Sequence, residues 1–184
     1  QNADLTGANL SNVDLNGANL TGAIFGDNLT NALLDGTDLS WVVLDNTNLT
    51  GVSFEGANLI KVSFRSSNLN SVNLEGANLS GADLRDANLS DANLSEANLA
   101  GANLGEANLS NANLSGANLS GADLTDANLS NTNLSGANLA GAIYGDNLTQ
   151  AQIDSSSSTE PMIVNGYNFE PGVRIRTDNS DGDL

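Results

Sequence analysis

Two sets of carboxylates hold the chain's clearest capacity for chemistry. Asp86, Glu106 and Asp126 stand twenty residues apart. If the chain coils with that period, the three share one surface and can offer weak, one-sided oxygen ligation to Ca²⁺. Near the C-terminus, Asp178, Asp181 and Asp183 punctuate the run Asp178-Asn179-Ser180-Asp181-Gly182-Asp183. That run departs from an EF-hand loop, because Thr177 holds the first ligand position and no Glu follows at the twelfth. Both sets are read chiefly as solvated carboxylates, and no cofactor is expected. The chain has no His and no Cys, which removes the commonest general base and every thiolate site. No catalytic constellation remains, so the chain is expected not to be an enzyme. Trp41 and Lys61, also twenty apart, suit a cation–π stack and a protein contact. Tyr167 and Phe169 are contact candidates in the tail.

These groups must be positioned by a repeat of five. From Leu34 onward, Leu or Phe recurs every fifth residue to Leu139, and Tyr144 ends the series. Two residues before each stands a small one, and in most units Asn or Asp lies between, as in Ala77-Asn78-Leu79-Ser80-Gly81. Five is neither the helical period nor the strand period. Within a unit, Ala and Leu are two apart and point one way in extended backbone, while Asn points the other. The next two residues are turn-formers. Each unit is therefore a short side and a corner, and the repeated units make a coil with Leu and Ala inside. A lag of twenty groups Asp45 with Arg65 and Arg85, and Asp35 with Glu55 and Glu75. A lag of fifteen breaks these groups, so four sides per coil are expected. Phe54 and Phe64, on opposite sides of one coil, should meet at the axis. Outward Asn amides should stack into ladders, and Asp45 should pair with Arg65 at the surface.

This unit resembles that of the pentapeptide-repeat family over residues 3 to 148. The resemblance implies an all-β, right-handed quadrilateral β-helix, a little over seven coils in length. Some members of that family mimic DNA and bind type II topoisomerases, protecting them from quinolones. Many others, in photosynthetic bacteria, are lumenal or periplasmic with unassigned roles.

The β-helix is expected over residues 1–148, with a register slip near 25–29. Ala-Ile-Phe-Gly-Asp-Asn-Leu-Thr at 23–30 and Ala-Ile-Tyr-Gly-Asp-Asn-Leu-Thr at 142–149 both shorten the spacing from five to four. Continued register would bury Asp27 and Asp146, which is costly, so the backbone should leave the coil at each. At the second copy Thr149-Gln150-Ala151-Gln152 reads as a capping box, with Leu148 and Ile153 as a hydrophobic staple. A capping helix is expected over 149–157. In the strand tail at 158–177, Met162–Val164, an Asn165-Gly166 turn and Tyr167–Phe169 read as a hairpin. Val173–Arg176 would complete a three-stranded meander. Residues 178–184 form an acidic end.

The charge is lopsided, with 22 acidic residues against 5 basic and a net −17. That argues against nucleic acid and anionic membranes as partners. No apolar run approaches the ~20 residues of a membrane span. The first residue is Gln1, which tilts the expected compartment toward secreted, periplasmic or lumenal. The first coil enters the repeat with no capping element, leaving an edge that invites association. The functional expectation is a non-catalytic structural or interaction rod whose partner is a protein, including a second copy of itself head to tail. Topoisomerase mimicry and a lumenal scaffold are the alternatives.

Overall fold

The computed structural model describes residues 3–145, 148, 149, 152, 156, 162–164 and 167–169. Each five-residue unit turns one corner and runs one side. At Leu94–Ala97 the Ala97 N–H donates to Leu94 O at 3.2 Å. The third residue of that turn, Glu96, has φ of 57°, the signature of a type II turn, which favours Gly there. Gly76, Gly101 and Gly121 fill the equivalent corner position elsewhere. The side that precedes the turn is Ala92-Asn93-Leu94. Ala92 and Leu94 are buried and Asn93 is half-buried.

Successive coils pair in parallel with a lag of twenty. Asn48 bridges Asn68, Asn73 bridges Asn93, Asn78 bridges Asn98, and Asp83 bridges Asn103. These four series are the four faces. Leu94 N–H donates upward to Asn113 O at 2.7 Å, and Asn93 N–H donates downward to Val72 O at 2.9 Å. The leucine column from Leu34 to Leu139 is sealed from solvent. Phe54 and Phe64 do meet at the axis, with ring centroids 5.9 Å apart and planes inclined at 57°. Where a hydroxyl replaces the small inward Ala, it finds a backbone acceptor. Ser67 Oγ donates to Leu44 O at 2.5 Å and Thr132 Oγ1 to Leu109 O at 2.8 Å. Burial of those hydroxyls therefore costs little.

The slip at Phe25–Leu29 corrects one expectation. The backbone does not leave the coil at Asp27. Asn28 bridges Asn48, and Asn48 N–H donates to Asp27 O at 2.9 Å. The missing residue is taken from the corner, where Gly26 sits so close that a Cβ would lie 3.2 Å from Gly7 N. The Asp27 side chain stays exposed, which avoids the penalty of a buried carboxylate. Below the slip the lag falls to nineteen, as in Asp14 with Leu33 and Asn19 with Asp38. The ladder bears the cost. No backbone hydrogen bond joins Ala23–Phe25 to Val43, whereas the next coil of that face is bonded, Ser63 N–H to Val42 O at 2.9 Å.

The elements with two or more paired residues lie at the ends. β1 (Asp4–Leu5) pairs in parallel with β2 (Ile24–Phe25). At the other end β3 (Ile143–Tyr144), β4 (Met162–Val164) and β5 (Tyr167–Phe169) form one sheet in that order. The hairpin is present as expected, but the third strand of its sheet is β3 of the last coil. Ile143 registers with Ile163, so β4 extends the ladder with the rod's own lag of twenty. The stretch 173–176 lies outside the described residues. Of the capping helix, Gln152 has helical backbone, and the rest of 149–157 is described only at Thr149 and Ser156. The capping box is formed: Thr149 N–H donates to Gln152 Oε1 at 3.0 Å, and Gln152 N–H to Thr149 Oγ1 at 3.3 Å. Gln152 Nε2 also donates to Leu129 O and Thr132 O of the last coil, at 2.9 and 3.2 Å.

Tyr144 closes the leucine column, and burial pushes its hydroxyl from the usual 10 up to about 12. The neutral phenol is the form the folded chain holds. Stability from this group is therefore complete below pH 10 and falls as the pH rises through 12. At about 1.4 kcal/mol per pH unit the loss totals roughly 3 kcal/mol. Denaturant titrations between pH 9 and 12 should show that loss in the wild type, and Tyr144→Phe should remove its share of the slope.

Candidate functional site

The faces of the rod are clad in side-chain amides. Asn88 Nδ2 donates to Asn68 Oδ1 at 3.1 Å, Asn108 to Asn88 at 3.1 Å, and Asn128 to Asn108 at 3.0 Å. Two further ladders run from Asn73 to Asn133 and from Asn78 to Asn138. Each Oδ1 also accepts a backbone N–H two residues on, as Asn93 does from Ser95 at 3.2 Å. The repeat thus needs Asn for the corner as much as for the ladder, a role the stacking argument did not contain.

The fourth face, that of Val43, Ser63, Asp83, Asn103 and Asp123, departs from this cladding. Arg85 forks onto Asp83, with Nε to Oδ1 at 2.8 Å and Nη2 to Oδ2 at 2.5 Å. Arg65 Nε lies 3.9 Å from Asp83 Oδ2. The expected pair of Asp45 with Arg65 is corrected. Asp45 Oδ1 already accepts Ser63 Oγ and the Arg65 backbone N–H, at 2.5 and 3.0 Å. Both guanidinium groups turn to Asp83 instead. The Arg85 guanidinium holds the Asp83 carboxyl below its usual range, opposed by partial burial. The backbone N–H of Ser40 does the same for Asp38.

Asp86, Glu106 and Asp126 occupy successive corners, each with positive φ. They line an open notch of about 360 Å³ together with Arg65, Arg85 and Gly105. Among the described residues no three carboxylates converge as a metal site would require. Asp178, Asp181 and Asp183 lie outside the described residues. Tyr167 and Phe169 are placed in β5, on the outer side of the terminal sheet.

Trp41 and Lys61 come together as their spacing suggests, with Nζ 4.4 Å from the indole centroid. Trp41 is 66% exposed. Their corner column reads Gly22, Trp41, Lys61, Gly81, Gly101, Gly121, Gly141, all with positive φ. Sequence reasoning did not single out Ile24 and Val43, 56% and 66% exposed on the adjoining face. The signal was available: both stand where most units place Asn or Asp.

A four-sided solenoid whose interior is occupied by its own leucines, with amide-clad faces, defines a repeat scaffold. The chain belongs to the pentapeptide repeats family, whose model matches in eight copies at residues 1–27, 28–59, 47–86, 87–126 and 122–143. The family's fold is the right-handed quadrilateral β-helix. Rfr23 of the cyanobacterium Cyanothece 51142 is 36% identical, over 57% of this chain and 85% of that one, with a TM-score of 0.56. A pentapeptide repeat protein of the Arabidopsis thaliana thylakoid lumen is 37% identical over 55% and 68%, with a TM-score of 0.49. HetL of Nostoc sp. PCC 7120, involved in heterocyst differentiation regulation, is 28% identical over 89% and 85%, with a TM-score of 0.42. No curated protein sequence matches the chain. No helix among the described residues is long and apolar enough to cross a membrane.

Proposed function

We propose that the chain is a non-catalytic protein-interaction rod that also associates through its first coil. Occupation of the interior by side chains supports the non-catalytic half, because it leaves substrate only the outer surface. The association rests on one observation. Leu15 and Leu20 are only partly buried, whereas their counterparts one coil on, Leu34 and Leu39, are sealed. Covering those leucines removes apolar area from water. The proposal assigns the rod no cofactor. Topoisomerase mimicry draws support from the net charge alone, since the ladders on three faces are neutral amides and the acidic groups lie mostly at corners.

Sedimentation velocity of the whole chain over a hundredfold concentration range tests the association. The sedimentation coefficient is expected to climb with concentration, and Leu15→Asn should blunt the climb. A monomer at every concentration would remove the end-to-end element and leave a solitary rod.

A further inference from the structure

We propose that the rod carries a second, lateral docking site for an acidic polypeptide segment, built on Ile24, Val43 and Trp41 with Lys61 at its rim. The inference deepens the interaction reading and rests on it. Three independent departures from the repeat coincide here. Ile24 and Val43 replace the Asn or Asp that clads the other faces, and both are more than half exposed. The ladder between them is open: Phe25 pairs only with Leu5 and Val43 only with Ser63, and no backbone hydrogen bond crosses the gap. Trp41 stands at φ of 64° in a column otherwise held by Gly, except for Lys61 at φ of 54°. A bulky residue in the left-handed region is strained. Nothing in the fold requires an indole there, since five glycines make the same corner. Departures of this kind, costly to the fold and clustered, mark sites kept for another purpose.

Charge selects the occupant. Within residues 3–145 the basic residues are Lys61, Arg65 and Arg85, and all three flank this face. Arg85 is consumed by Asp83. Lys61 has no carboxylate within ion-pair distance among the described residues, and its ammonium rests on the indole. A partner that lays an aliphatic or aromatic side chain on Ile24 and Val43 and a carboxylate on Lys61 satisfies both features. An exposed Trp beside a cation is the kind of anchor that dominates interfaces. A second copy fits poorly. A twofold contact would bring Lys61 against Lys61 and leave both ammonium groups without a carboxylate.

A random dodecapeptide phage library, selected on the whole chain, tests this. Enriched clones are expected to place Asp or Glu next to Leu, Ile, Phe or Trp. As synthetic peptides they should lose at least about tenfold in affinity on Trp41→Gly and on Val43→Asn. Both variants install the residue that the repeat uses elsewhere and relieve the cost of the departure, so their thermal unfolding should be no lower than that of wild type. Lys61→Glu should abolish the preference for acidic clones. No enrichment, basic clones, or clones indifferent to all three variants would overturn the proposal. So would a wild-type dimer that Val43→Asn dissociates, which would make a second copy the occupant. The first-coil association is read separately by sedimentation and should be unchanged in Trp41→Gly. Failure of one site therefore does not counterfeit failure of the other.

Discussion

Leu94→Lys is expected to abolish cooperative folding, while Ser95→Lys leaves the melting temperature within a few degrees of wild type. The two positions are adjacent, so the contrast isolates direction. Leu94 is sealed in the column with no exposure. Losing its side chain alone costs about 2–5 kcal/mol. An unpaired ammonium in the same space adds several more. Against a typical domain stability of about 5–15 kcal/mol, that is most or all of the total. Coils touch only their neighbours, so the damage starts at one level and splits the rod into two shorter stacks. Ser95 is a half-exposed corner residue whose Oγ donates to Asn93 Oδ1 at 2.7 Å. Its replacement forfeits about one exposed hydrogen bond, roughly 1 kcal/mol or less. Circular dichroism melts of the two variants decide the matter. Equal melting temperatures would mean that leucine does not point inward, and the architecture would fall with it.

The leucine direction was legible because it follows from alternation within three residues, and the number of sides followed from charges recurring at twenty. Both are local or strictly periodic properties. What escaped were the places where the period breaks. At Asp27 the spacing predicts that the chain leaves the coil. The chain instead shortened a corner at Gly26 and opened the ladder above Ile24, a choice set by neighbouring coils rather than by the phrase itself. Asp45 and Arg65 stood in the right column, but Asp45 was already claimed by a hydroxyl and a backbone amide. The competition among acceptors is invisible in a column of letters. Gln152 was legible as half of a capping box, yet its amide also satisfies two carbonyls of the last coil. That second task depends on where the last coil presents those two carbonyls. For the candidate surface, the raw signal lay in the sequence as Ile24, Trp41 and Val43 interrupting the pattern. Only the paired geometry showed that the interruptions share one face.

Phe54→Ala and Phe64→Ala should each cost about 3–5 kcal/mol, the range for a large aromatic removed from a sealed core. The double variant should cost about 1 kcal/mol less than their sum. The reason is geometric. The two rings come from opposite sides of one coil and lie 5.9 Å apart in a tilted arrangement, a geometry worth roughly 0.5–1.5 kcal/mol beyond area burial. Once one ring is gone, the other has already lost that contact, so the second loss is smaller. Phe54→Leu provides the control. It installs the residue found at this position in nearly every other unit, and its smaller volume change should limit the cost to about 1–2 kcal/mol. Urea unfolding of the four proteins gives the cycle directly. Strict additivity would mean the rings do not touch in solution. A near-neutral Phe54→Ala would mean the centre of the coil is wet, since only water filling the vacated space would cancel the cavity cost. In either case the axis would no longer be the dry, filled column on which the non-catalytic reading of this rod depends.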